Sequence, residues 1–140
     1  MKLSARERTA LLAMVELARR YGDGPTALSE VAQAQGLPLP YLERVAALLR
    51  KAGLVASARG ARGGYALARA PGEISVREVL TAVEGALVPV GCLTKGGPRC
   101  ARVEACATRS VWEAVATTLT ATLEQMSLAD VLCTEARQAS

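Results

Sequence analysis

Apolar residues recur at helical spacing through Leu11, Met14, Val15 and Ala18, and the S-x-x-E pair Ser4 and Glu7 stands where a capping box would open that helix. The run Tyr21 to Pro25, with two glycines and a proline, predicts its end. A shorter helix is predicted from Leu28 to Gln35, with Leu28, Val31 and Ala32 inward and Gly36 as its breaker. After Leu37-Pro38-Leu39-Pro40, the spacing of Leu42, Val45, Leu48 and Leu49 predicts a third helix reaching Lys51, stopped by Gly53. Two helices joined by a tight, glycine-containing turn make a helix-turn-helix. Leu54 to Ala58 and Tyr65 to Ala68 then read as short strands around Arg59-Gly60-Ala61-Arg62-Gly63-Gly64, a hairpin with a basic, glycine-rich tip, in other words a wing.

Ser75 and Glu78 offer a second capping box before Val76, Val79, Leu80 and Val83, a helix that should stop at Gly85. From Ala86 to Ala107 the periodicity lapses. A loop of that length in a small domain usually has a function. A long helix from about Ser110 to Met126 carries Val111, Val115, Leu119, Leu123 and Met126 along one side, and Ser127 with Asp130 is expected to cap a short final turn. The expected fold is mainly α, a winged helix-turn-helix with a two-stranded wing and a long C-terminal helix. Its layout is a DNA-binding region over 1–85, a cysteine loop over 86–107, and the long helix with its C-terminal turn over 108–140, within one compact domain.

Composition agrees with closely packed helices. Hydrophobic residues make up 51% of 140 residues, but with one Trp, three Tyr and no Phe the core must be built from Ala, Leu and Val. The N-terminus has the basic and then apolar look of a leader, which Glu7 and Glu16 interrupt. No stretch approaches the roughly 20 apolar residues needed to cross a bilayer, so no membrane association and a cytoplasmic location are expected. In a reducing compartment four cysteines point to metal or redox chemistry rather than to a disulfide framework.

The net charge of +4 is unevenly spread. Between Tyr41 and Ala70 six basic residues (Arg44, Arg50, Lys51, Arg59, Arg62, Arg69) face one acid, Glu43, a net of +5, so the rest of the chain sums to −1. A basic segment on an otherwise neutral chain is the footprint of a phosphate-binding face, although a solvated surface would look the same. In a helix-turn-helix the N-terminal residues of the second helix meet base edges in the major groove. Here those residues are Pro40, Tyr41, Glu43 and Arg44. Arg44 suits a guanine or a phosphate, and Glu43 suits a cytosine amino group, with ordinary surface charge as the plain alternative for both. At the wing, Arg59 and Arg62 suit the narrow minor groove, and Gly60 lets the backbone approach closely. A double-stranded DNA operator is the partner these elements imply.

The cysteine segment reads Cys92-x7-Cys100-x5-Cys106 among Gly91, Gly96 and Gly97, three soft ligands on a backbone free to wrap an inorganic core. Thiolates at flexible spacing suit an iron-sulfur cluster. Structural zinc more often shows paired C-x-x-C ligands, absent here, and small buried cysteines can simply fill space. All three readings stay open at this point. A fourth ligand cannot be histidine, since the chain has none. Glu7 is the first candidate, then Glu104, Cys133 or a small exogenous ligand; Glu7 also has a sufficient role as a cap, and Cys133 is expected to fill the core. Without histidine, a paired-carboxylate pocket or a phosphate-binding glycine loop before a helix, nothing supplies a catalytic constellation. A cluster-free or zinc-binding DNA-binding regulator is the main alternative, and a small metal-dependent redox protein a weaker one.

Met1-Lys2-Leu3-Ser4, Tyr41-Leu42-Glu43, the run from Leu49 to Val55, Arg59-Gly60, Gly63-Gly64-Tyr65, Cys106-Ala107-Thr108 and Val111-Trp112 together resemble the IscR and NsrR family of bacterial winged-helix regulators. The resemblance covers nearly the whole chain. It implies a homodimer in which the long C-terminal helix crosses its partner's, with a [2Fe-2S] or [4Fe-4S] cluster loop beside that interface, and a transcription regulator, a repressor, that senses iron, redox state or nitric oxide. In the IscR branch a histidine would stand where this chain has Arg109. In the NsrR branch a carboxylate from the partner's first helix would stand where it has Arg8, with Glu7 beside it. The chain departs from both patterns at the fourth ligand.

Overall fold

The computed structural model describes residues 3–85, 87 and 107–139. Its elements run α1 (Ala5–Arg19), α2 (Leu28–Gln35), α3 (Leu39–Lys51), β1 (Val55–Ala58), β2 (Gly64–Leu67), a 3-10 turn (Pro71–Glu73), α4 (Val76–Glu84), α5 (Arg109–Gln125) and α6 (Leu128–Gln138).

Three of these helices open on reciprocal caps. Ser4 Oγ accepts from the Glu7 amide at 3.1 Å while Glu7 Oε2 accepts from the Ser4 amide at 2.8 Å, and Ser75 with Glu78 and Ser127 with Asp130 repeat the arrangement on α4 and α6. Each pair satisfies donors the helix itself cannot, and losing such a cap costs about 1 kcal/mol. The third is not the short turn expected from sequence but an eleven-residue helix.

α1 is the central element of the core. Ala10 and Met14 are fully buried, and they cluster with Val31 of α2, Leu42, Val45 and Leu49 of α3, Ile74, and Val79 and Val83 of α4. Alanines at Ala10, Ala13 and Ala18 let the neighbouring helices approach closely, as expected of a core without phenylalanine. Gly36, at φ +63, turns α2 into α3 while its amide and that of Leu37 both bond the Ala32 carbonyl. Gly53, at φ +77, turns α3 into the wing.

β1 and β2 pair antiparallel from Val55 with Leu67 to Ala58 with Gly64. The root of this hairpin is pinned to the loop before α2, where Thr26 and Tyr65 exchange two backbone hydrogen bonds of 2.8 Å. The approach is so close that a Cβ on Gly64 would lie 2.2 Å from the Thr26 carbonyl oxygen, and one on Gly63 2.4 Å from that of Ala58. Only glycine fits at either position.

The C-terminal helices attach differently. At the junction of α5 and α6 the Val76 amide bonds the Met126 carbonyl at 2.7 Å and the Leu128 amide bonds that of Ile74 at 3.0 Å, and Leu128 enters the core fully buried. No residue of α5 is buried: Val111 is 53% exposed, Trp112 37%, and Val115, Leu119 and Leu123 are half-covered. Cys133 corrects an expectation, because it is exposed and free rather than a core filler. Its place on α6 lies off the side defined by Leu128, Val131 and Leu132.

The Glu16 carboxylate is buried with the apolar stripe of α1. Glu16 Oε2 accepts from Arg19 Nη1 at 2.6 Å and from Gln35 Nε2 at 2.8 Å, and its Oε1 accepts from Arg20 Nε at 3.0 Å. Burial pushes its pKa up, but the hydrogen bonds from Gln35, Arg19 and Arg20 and the Arg19 charge outweigh burial and hold it below the ordinary carboxylate range. A lowered folded-state pKa gives stability that is complete above the ordinary range and lost as the pH falls through the lowered value. The melting temperature should therefore fall on acidification below the ordinary carboxylate range, and Glu16→Gln should flatten that limb while lowering the plateau at neutral pH. Equal acid limbs in a calorimetric pH series would remove Glu16 from this role.

Candidate nucleic-acid interface

α3 presents Pro40, Glu43 and Arg44 to solvent, with Tyr41 half-buried against the core. Leu42 and Val45 anchor the opposite face, so Glu43 and Arg44 project outward because their neighbours are held inward. α3 has no side-chain cap: its N-cap is Pro38, and Pro40 in the first turn has no N–H. The amides of Leu39 and Tyr41 thus have no hydrogen-bond partner among the described residues. An uncapped N-terminus with free N–H groups suits an anion.

The wing departs from the end of α3, and its tip is tightened by a bond from the Gly63 amide to the Gly60 carbonyl at 2.9 Å. Arg59, Gly60, Ala61 and Arg62 at this tip are all exposed.

Ion pairing separates the cations into two groups. Arg6, Arg19, Arg20, Arg69, Arg77 and Arg109 each sit within 4.0 Å of a carboxylate. Arg44, Arg50, Lys51, Arg59 and Arg62 have no such partner among the described residues, and all are exposed. These five fall on α3 and the wing tip, and among the described residues Arg8 of α1 likewise has no carboxylate partner. Arg50 and Lys51 contributed only to the charge count in the sequence reading; the structure shows them as free as the wing arginines, in the last turn of α3.

Cys92, Cys100, Cys106 and Glu104 lie outside the described residues, as do Gly91, Gly96 and Gly97. Among the described residues no group of three or more His, Cys, Asp or Glu could hold a metal ion. The N-terminal flank of the segment is well held: Gly85 ends α4, Glu84 Oε1 accepts from Ser4 Oγ at 2.6 Å, and the Val83 carbonyl accepts from Arg6 Nη1 at 3.2 Å. The first turn of α1, which carries Glu7, is thereby tied to the point from which the cysteine segment departs. Glu7 itself is buried and serves the Ser4 cap. On the other flank, Arg109 is paired with Glu113 at 2.7 Å.

A winged helix-turn-helix carrying five cations without carboxylate partners among the described residues, on its second helix and wing, has the layout of a DNA-binding regulator. Comparison with known proteins makes this specific. The family model described as Rrf2, iron-dependent transcriptional regulator, matches residues 3–134, and the chain belongs to that family. It is 37% identical to the HTH-type transcriptional regulator IscR of Cronobacter sakazakii over 132 residues, 94% of this chain and 80% of that protein. Among solved structures it is similar to T. potens IscR (39% identity, 100% of this chain and 91% of that one, TM-score 0.80). It is also similar to CymR, the global cysteine regulator of B. subtilis (36% identity, 94% and 95%, TM-score 0.77). The chain is thus an IscR-like helix-turn-helix transcriptional regulator of a non-enzyme family. No helix among the described residues is long and apolar enough to cross a membrane.

Proposed function

We propose that this regulator is a cytoplasmic homodimer that binds a roughly palindromic operator and represses transcription according to the state of an iron-sulfur cluster. What carries the cluster reading is the donor set: Cys92, Cys100 and Cys106 in a glycine-rich segment, in a chain of a family described as iron-dependent. Three thiolates and no histidine fit the sulfur-rich coordination of such a cluster, [2Fe-2S] or [4Fe-4S], and Glu7 is the first candidate for the remaining position. When bound, the cluster would supply a group whose loss or change of charge state responds to iron supply, redox state or nitric oxide. The chain's own residues would hold it, and they lie between the reading region, 1–85, and the long helix of 108–140.

Arg44 and Glu43 are assigned to base edges or phosphates in the major groove, with Pro40 and Tyr41 at the helix entry and phosphate on the free amides there. Arg59 and Arg62 are assigned to the minor groove, with Gly60 permitting the close approach. Arg50 and Lys51 add phosphate contacts.

Anaerobic purification followed by iron and sulfide quantitation and a visible spectrum tests the cluster. Cys92→Ala, Cys100→Ala and Cys106→Ala should each abolish the chromophore, and exposed Cys133→Ala should spare it. Glu7→Gln should make the chromophore labile if Glu7 is a ligand, and should cost only about 1 kcal/mol of stability if it is a cap alone. Stoichiometric zinc without sulfide would establish the zinc-binding regulator instead.

A further inference from the structure

The Glu16 carboxylate does more than close a local pair. Through Gln35 Nε2 it holds the last residue of α2, beside the turn into α3. Through Arg20, whose Nη1 donates to Glu30 Oε2 at 2.9 Å, it holds the first turn of the same helix. Through Arg19 it reaches α6: Arg19 Nε donates to Glu135 Oε2 at 3.1 Å, and Arg19 Nη2 donates to Glu135 Oε1. One buried carboxylate on α1 therefore joins both ends of α2 to the C-terminal helix.

We infer that Glu16 is a positioning residue that couples the placement of α6 on α1 to the placement of α2 and the turn into α3, and so sets how the recognition helix meets DNA. The inference rests on the DNA-reading role assigned above to α3.

α6 is anchored at its start, where Leu128 is buried and Val131 and Leu132 pack against the core, whereas everything from Cys133 to Ala139 is exposed. An apolar groove of about 420 Å³ lies between α1 and α6, bordered by Leu11, Leu12, Val15 and Val131. The bidentate Arg19–Glu135 pair spans that groove's rim. If Glu135 moves away, Arg19 retains only Glu16, and competition among Arg19, Arg20 and Gln35 for two carboxylate oxygens is resolved differently. Bonds of this kind, at a carboxylate shielded from water, are the strong ones, so a shift at one end is felt at the other. The outer pair is half in solvent and contributes little to stability, so cutting it leaves the fold intact.

The test is a double-mutant cycle on the full chain with Glu135→Ala and Gln35→Ala, reading affinity for one operator duplex at fixed salt and amide hydrogen exchange of residues 31–37. Each single change should weaken binding by about 5-fold, and the double change by about the same factor, with melting temperatures close to the parent's. Independent sites would instead multiply to about 25-fold. Glu135→Ala should also speed exchange at residues 31–37 although it lies on α6. Multiplicative affinities, or unchanged exchange at those amides, would overturn the coupling. If the parent binds no duplex in a salt-dependent manner, the DNA-reading role is what fails, and the exchange result alone decides the coupling.

Discussion

Raising monovalent salt from about 50 to about 200 mM will weaken operator binding by roughly three to five orders of magnitude, if a dimer neutralises some six to ten phosphates. Five cations of the chain carry this expectation: Arg44, Arg50, Lys51, Arg59 and Arg62 are exposed and lack carboxylate partners among the described residues. A cation already paired with a carboxylate must lose that partner before it can displace counterions, whereas these five lose nothing. Arg59→Ala should reduce the log-log slope by about one for each phosphate contact removed and relax preference for A·T-rich minor groove. Glu43→Ala should change which base is preferred more than overall affinity. A slope near zero in a fluorescence-anisotropy titration would dismiss the interface, and parent-like behaviour of both variants would dismiss the residue assignments.

Leu119→Asp should abolish the dimer at micromolar concentration and reduce operator affinity by more than 100-fold at the same time. α5 is a seventeen-residue helix without one buried residue, and its apolar side runs through Val111, Val115, Leu119 and Leu123, with Met126 just past its end. Large apolar strips left in water mark an interface. A two-fold seam would place two aspartates in it, each losing hydration without a partner, at several kcal/mol apiece. Leu119 is only half-covered within its own protomer, so circular dichroism should still report a helical chain. A parent that sediments as a monomer at micromolar concentration would contradict the dimer itself.

Much of this was legible in the sequence because it depends on neighbours close along the chain. The apolar spacing of α1 to α4, the capping pairs Ser4–Glu7 and Ser75–Glu78, and the glycine-rich hairpin are local signals, and the structure places all of them within a residue or two of their expected bounds. What escaped is non-local. Periodicity treats Glu16 as one charge in an apolar stripe, because its partner Gln35 is 19 positions away and Glu135, held through Arg19, is 116 positions from that arginine. α6 looked like a single turn because its apolar residues thin out after Leu132; the helix continues on its cap and on residues with good helix propensity such as Glu135 and Arg137. The strand-like contact of Thr26 with Tyr65 involves a single residue and leaves no alternation to read. At the candidate site, exposure and pairing distinguished free from committed arginines, which composition alone could not do.

The pinned hairpin root divides the wing into a part that can vary and a part that cannot. Gly63 and Gly64 are walled in by the carbonyls of Ala58 and Thr26, and Gly60 is held at φ +105, whereas Arg59, Ala61 and Arg62 stand in solvent. A library that randomises Arg59, Ala61 and Arg62 while keeping Thr26 and the two root glycines would therefore retarget groove contacts without entering the folding problem. The same division means that regulators descended from a common ancestor with this fold can drift at the tip, acquiring new operators, while the root holds the hairpin at an unchanged angle to the helix that reads beside it.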